Sequence, residues 1–177
     1  DVPGVELGPG ELDINVAANF SDTEIVGAIA TPAPIAAAGV NLFDRKEQSR
    51  IETARPSQKM TLGLTYRVDK LSVALNNTRF GEVTWRHAGG DATKGYDDTT
   101  DQTFSAKVLT DLLLNYQVND KYGINLVVNN LLDVFPDKLD AKGDFEADLG
   151  GRFEYPWEVN QFGFTGTTIR SGLSVRF

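Results

Sequence analysis

From Met60 to Val68 the chain alternates strictly. Met60, Leu62, Leu64, Tyr66 and Val68 fall on one side, and Thr61, Gly63, Thr65 and Arg67 on the other. Successive side chains of a strand point to opposite faces, so a period of two predicts a β-strand with one apolar face. The longest such run is Phe104 to Val118, with Phe104, Ala106, Val108, Thr110, Leu112, Leu114, Tyr116 and Val118 in phase. Leu12, Ile14, Val16, Ala18 and Phe20 repeat the pattern, as do Tyr122, Ile124, Leu126 and Val128, and Ile169, Ser171, Leu173, Val175 and Phe177. Leu71, Val73 and Leu75 begin a further strand whose phase is lost around Asn77 to Phe80, where a bulge is expected before Val83 and Trp85 resume it. On these phases the apolar face carries no charge, and Thr110 and Ser171 are its only aliphatic hydroxyls. The other face is rich in small and amide residues, unlike the densely charged outer face of a soluble sandwich.

The connections alternate in length. Asp69-Lys70 and Asn119-Asp120-Lys121 make tight hairpins, whereas the stretches near 30–58, 87–103 and 131–163 are long, rich in Gly, Pro and Asp, and without sustained periodicity. Short turns on one side and long loops on the other are the asymmetry of outer-membrane barrels, whose short turns are periplasmic. Tyr66, Tyr116 and Tyr122 sit beside the short turns on the apolar face, and Phe177 should end at the same level, as expected of an interfacial aromatic girdle. Ordinary packing of aromatics near strand ends is the alternative.

The mean hydropathy of −0.25 looks soluble, but alternating strands average to such a value whether they face lipid or not. No run of 18 or more apolar residues is present, so a membrane-spanning helix is excluded. With 17 Lys+Arg against 25 Asp+Glu the net charge is −8, which argues against a nucleic-acid partner because phosphates need basic clusters. The absence of cysteine removes disulfides and thiolate metal sites. The expected fold is therefore all-β: an antiparallel transmembrane β-barrel wall of six strands (11–25, 59–68, 70–86, 104–118, 121–130 and the terminal one) plus a stub at Gly4-Val5-Glu6-Leu7. A seventh, partial strand does not close an even-numbered barrel, so the remaining strands are expected elsewhere.

Particular residues strengthen this. Val128-Asn129-Asn130-Leu131-Leu132-Asp133-Val134-Phe135-Pro136, Gly151-Arg152-Phe153-Glu154-Tyr155 and the terminal Leu173-Ser174-Val175-Arg176-Phe177 resemble elements near the end of TonB-dependent outer-membrane receptors. Gly4-Val5-Glu6-Leu7, and Arg55-Pro56 leading into Leu62-Gly63-Leu64-Thr65-Tyr66, are weaker matches, and Leu132 stands where Phe is commoner. The resemblance implies the C-terminal part of a barrel of about twenty-two strands around a plug. Such a barrel imports a scarce ligand, an iron–siderophore first and haem or a vitamin next, and is energised through the periplasmic TonB complex. Plug and energy-coupling segment, N-terminal in that family, are missing from this chain. The resemblance also implies an outer-membrane location with a periplasmic C-terminus, no catalysis and no cofactor. Its partners would be the plug and remaining barrel, outer-membrane lipid and lipopolysaccharide, and the barrel assembly machinery.

Phe177, with Val175, Leu173 and Ile169, is then the candidate assembly signal, an exposed strand read by β-augmentation; simple packing against lipid is the plainer account. Arg67, Lys107, Asp111, Arg170 and Arg176 fall on the polar face, as lumen or plug contacts or as pairs across the wall. Trp85, Arg86 and His87 are possible ligand contacts at a strand's outer end, though a lone histidine at a loop edge is more often an ordinary surface residue. The loop 131–163 holds eight acids against three bases, enough to suggest Ca²⁺, but its spacing fits no EF-hand and a solvated acidic loop is the simpler reading. Arg45, Lys46, Arg50 and Arg55 could likewise meet an anionic ligand or lipopolysaccharide phosphates, or be solvated. Two competing classes stay open: a small complete barrel or porin-like channel, and a soluble carbohydrate-binding β-sandwich.

Overall fold

The computed structural model describes residues 2–27, 30–86, 101–139, 153–156, 158–159 and 161–177. It is mostly antiparallel β-sheet. The strands are β1 (Val2–Leu7), β2 (Gly10–Phe20), β3 (Gln58–Val68), β4 (Leu71–Phe80), β5 (Val83–Trp85), β6 (Gln102–Phe104), β7 (Lys107–Gln117), β8 (Tyr122–Asn129) and β9 (Thr168–Val175). Two short helices, α1 (Ala33–Ala37) and α2 (Arg45–Glu52), lie between β2 and β3. Seven strands form one sheet in the order β1-β2-β3-β4-β7-β8-β9, and β5 pairs with β6 apart from it. This is an up-and-down meander in which β1 and β9 occupy opposite edges, and the expected stub at 4–7 belongs to a full strand.

Cross-strand register turns the separate alternations into one surface. Leu12 pairs with Tyr66, Ile14 with Leu64 and Val16 with Leu62. Tyr66 then meets Val73 and Leu64 meets Leu75, Val73 meets Leu114 and Leu75 meets Leu112, Leu114 meets Leu126, and Ile124 meets Leu173. A slip of one residue anywhere would put every following apolar side chain on the wrong face, so consistent parity from β2 to β9 is a joint property of the turns and the pattern. Two of these turns are two-residue loops, Gly8-Pro9 and Asp69-Lys70, each opening on a residue with positive φ, 61° and 48°. Asp tolerates that region because its short side chain bonds locally. In the third, the Asn119 Oδ1 accepts from the backbone N–H groups of Lys121 (2.9 Å) and Tyr122 (3.0 Å), a side-chain mimic of a backbone turn.

No described strand or helix packs across either face of the seven-stranded sheet; among strands and helices, each of its strands touches only its ladder neighbours. Val16 and Ile169 on the apolar face are 67% and 69% exposed. The buried apolar cluster lies instead at the long-loop end, where Ala54, Val83, Trp85, Phe104 and Val159 pack together with Leu139 against them.

Several expectations change here. The lost phase near Asn77 is no bulge: the β4 ladder runs unbroken through Phe80 on both sides, and the interruption falls at Gly81-Glu82. That register puts Asn77 and Arg79 on the apolar face, opposite Leu62 and Met60, so the face is not free of charge. Thr110 Oγ1 donates to Asn77 Oδ1 at 2.8 Å, which satisfies two polar groups that apolar surroundings would otherwise penalise. Arg79 is exposed near the strand's end, where a long stem can carry the guanidinium away from apolar surface. The long run from Phe104 to Val118 breaks at Ser105-Ala106, and Phe104 leaves the apolar face for the core cluster, paired with Val83. The strand expected over 11–25 stops at Phe20, and the terminal one at Val175. Helix α2, unforeseen in the aperiodic 30–58 stretch, starts where the Asp44 side chain caps the Glu47 N–H.

Candidate functional site

The polar face and the loop cluster at its outer end bring most of the candidate residues together. Lys59, Phe80 and Lys107 are consecutive cross-strand neighbours on that face. The Lys59 ammonium lies 5.1 Å from the Phe80 ring centroid, within cation–π reach, and Phe80 packs on Phe162 at 5.5 Å. Lys107 reaches Asp137 at 2.5 Å, and the same carboxylate accepts from Ser105 N and Oγ at 2.6 Å each. Burial alone would raise the Asp137 pKa, but the Lys107 and Ser105 donors outweigh it and hold the carboxyl below its usual range. Asp111 accepts the Asn130 N–H at 2.7 Å. Arg67 pairs with Asp13 across β2 and β3. Arg170 and Arg176 lie exposed on the polar side of β9 and just beyond it. Of the expected polar-face residues, Arg67, Lys107 and Asp111 thus have partners within the chain itself.

The segment from Asn130 to Val134 is a hydrogen-bonded lock. Asn130, 6% exposed, accepts the Val134 N–H at 2.9 Å and donates back to the Val134 carbonyl at 2.8 Å. Thr167 Oγ1 donates to the Asn130 carbonyl at 2.7 Å, and Thr167 N–H to Asp133 Oδ1 at 2.9 Å. Asn130 and Asp133 take positive φ of 50° and 53°, and Gly166 takes 68°. A Cβ at Gly166 would stand 2.7 Å from Asp133 Oδ1, so glycine is required there on both counts. The lock joins the end of β8 to the start of β9 across a long insertion. Beside it Phe135, Tyr155 and Phe164 stack in series, with centroids 5.5 Å and 6.3 Å apart.

Glu158 is the residue the sequence reading misses. Placed there among solvated acids, its side chain is only 9% exposed and accepts from Arg50 (2.6 Å) and Trp85 Nε1 (3.2 Å), with Lys46 at 3.4 Å. Arg50 also binds Glu47 at 2.6 Å; burial opposes its charge, yet the two carboxylates hold its pKa above the usual value. Arg45 forms a two-pronged pair with Asp101. The supposed solvated basic stretch therefore staples α2 to the outer cluster. Its signal lay in Glu158 beside an aromatic-rich run, but no spacing rule links it to Arg50. The acids Asp133, Asp137 and Glu154 are also engaged, the last with Lys138 at 2.5 Å, while Asp140, Asp144, Glu146 and Asp148 lie outside the described residues.

Trp85, expected as a ligand contact, is 3% exposed in the core. Arg86 pairs with Glu52 at 3.4 Å, and His87 lies outside the described residues. At the short-turn end Tyr116 and Tyr122 are exposed on the apolar face, and the Tyr66 hydroxyl donates to the Leu7 carbonyl at 3.0 Å. Ile169, Leu173, Val175 and Phe177 are all exposed along the β9 edge. Among the described residues no group of three or more His, Asp or Glu side chains could hold a metal. Comparison with known proteins gives no match to a family model, to a curated protein or to a solved structure.

Proposed function

We propose that this chain is part of the wall of a bacterial outer-membrane β-barrel. Within that class it is best read as the C-terminal part of a TonB-dependent receptor that imports a scarce ligand, with an iron–siderophore favoured over haem or a vitamin. The observation that carries the reading is a single apolar face, continuous in register from β2 to β9, with large side chains left exposed. A soluble sheet buries such a face against a second layer; a barrel wall gives it to hydrocarbon. The tyrosines beside the short turns suit an interface, and the amide-rich opposite face suits a lumen filled by water or a plug. The Asn130–Asp133 lock lies within one of the three segments that resemble the family. On this reading the C-terminus is periplasmic, the edge of β9 with Phe177 is read by the assembly machinery, and the residues bind and guide but transfer no chemical group.

The test is a pair of substitutions on adjacent residues of β3 in the full-length protein. Leu62→Arg should destabilise insertion by about 2–4 kcal/mol or abolish it, while Thr61→Arg, on the opposite face, should be tolerated. Folding titrations into lipid vesicles report both, and equal tolerance of the two would overturn the proposal.

A further inference from the structure

We infer that the outer end of the polar face carries a binding recess for a small polycarboxylate, a class of ligand that deepens the transport reading and rests on it for access from a lumen. The recess measures about 560 Å³, within the range typical of small-molecule sites. Its wall is built from three directions: Asn19, Lys59 and Phe80 from the sheet, Arg50, Arg55 and Pro56 from the end of α2 and the turn after it, and Glu158 and Gln161 from the segment before β9.

Charge is distributed there against the trend of the molecule. The chain carries net −8, yet this recess holds three cations and one acid. Glu158 is already spent on Arg50, Lys46 and Trp85. Arg55 and Lys59 are exposed and have no ion-pair partner among the described residues; Lys59 has only the Phe80 face. A guanidinium offers two parallel N–H donors to one carboxylate and an ammonium meets a second as a point charge, so the pair favours a ligand with more than one carboxylate. Phe80, held in place by its packing on Phe162, is the aromatic part of the lining beside Lys59.

Gln161 fixes the third wall of the recess. It is 7% exposed, and its Nε2 donates to the carbonyls of Gly81 (2.5 Å) and Ser105 (2.9 Å), which fixes the amide orientation. Its Oε1 is left as the one buried side-chain polar atom without a partner among the described residues. That oxygen is itself inaccessible, so Gln161 serves the recess as a fixed wall, holding the Gly81 and Ser105 backbones together behind it.

The experiment is calorimetric titration of the full-length protein in detergent with citrate, and with sucrose as a neutral control. Citrate should bind and sucrose should not. Arg55→Gln combined with Lys59→Gln should weaken citrate binding about tenfold or more, whereas Arg55→Lys with Lys59→Arg should retain most of it, and Arg79→Gln on the opposite face should leave it unchanged. Circular dichroism checks that each variant keeps its sheet. Equal binding of citrate and sucrose, or an unaltered affinity in the double glutamine variant, would overturn the inference. Vesicle insertion read on the same preparations separates the two ideas. Normal insertion with no citrate binding sinks only the ligand, and equal tolerance of Leu62→Arg and Thr61→Arg sinks only the wall.

Discussion

The sheet and the cluster at its outer end solve the burial problem in opposite ways. The cluster hides its own apolar residues: Trp85 and Phe104 are nearly inaccessible, and ion pairs from α2 tie its parts together. The sheet holds most of the leucines and valines yet buries few of them, because no described strand or helix covers its apolar face. A region with its own core is stabilised within the chain. A face of large exposed side chains needs a partner outside it, since contiguous apolar patches of that extent mark binding or membrane surfaces.

The contrast is most sharply broken by deleting an aromatic from the cluster. Phe104→Ala should cost about 3–5 kcal/mol, because transfer and cavity contributions add at a fully packed site. Val16→Ala, on the sheet's apolar face, leaves no cavity inside the chain and should cost less, about 1–2 kcal/mol for the two methylenes withdrawn from hydrocarbon. Denaturant titrations of the full-length protein in detergent micelles compare the two; similar losses would mean that the sheet is packed after all. A smaller effect than that of Phe104→Ala is expected at the lock that joins the regions. Asn130→Ala leaves the Val134 backbone groups without their partners and should cost about 1–3 kcal/mol, seen as faster hydrogen exchange at Val134 with little change in β3.

The smallest effect concerns pH. The folded-state pKa of Asp137 is depressed, so its bonds to Lys107 and Ser105 contribute stability above the unfolded carboxyl pKa and lose it as pH falls through the lower folded value. Acidification below the usual aspartate range should therefore loosen the segment around Asp137 from β7, and Asp137→Asn should flatten that response. Amide exchange at Ser105 reads it directly.

How far the sequence could be read differs between the same two regions. The strands were visible wherever a two-residue period ran for several residues, as at Met60 to Val68, because that period is a local property of the backbone. The failures cluster where phase stops being local. Asn77 and Arg79 looked like a defect, though the ladder continues beneath them, because polar residues on an apolar face erase the pattern without disturbing the hydrogen bonds. Phe104 looked like a strand residue in phase, and only the break at Ser105-Ala106 sends it into the cluster. At the candidate site, the cations Arg50 and Arg55 were noticed, while Glu158 and Gln161 were not connected to them.

Alone, the amino-acid order settled the all-β class, the apolar and polar sides of most strands and the positions of the tight turns, because these follow from alternation and from residues such as Asp69 and Asn119 that favour turn geometry. The tertiary structure decided that the separate apolar sides form one surface. It also decided that Glu158 gathers Arg50, Lys46 and Trp85, and that Lys59 stands beside Arg55 across a recess. Those facts join residues far apart in the chain, and no local propensity encodes such a meeting; it exists only once register and packing have been fixed together.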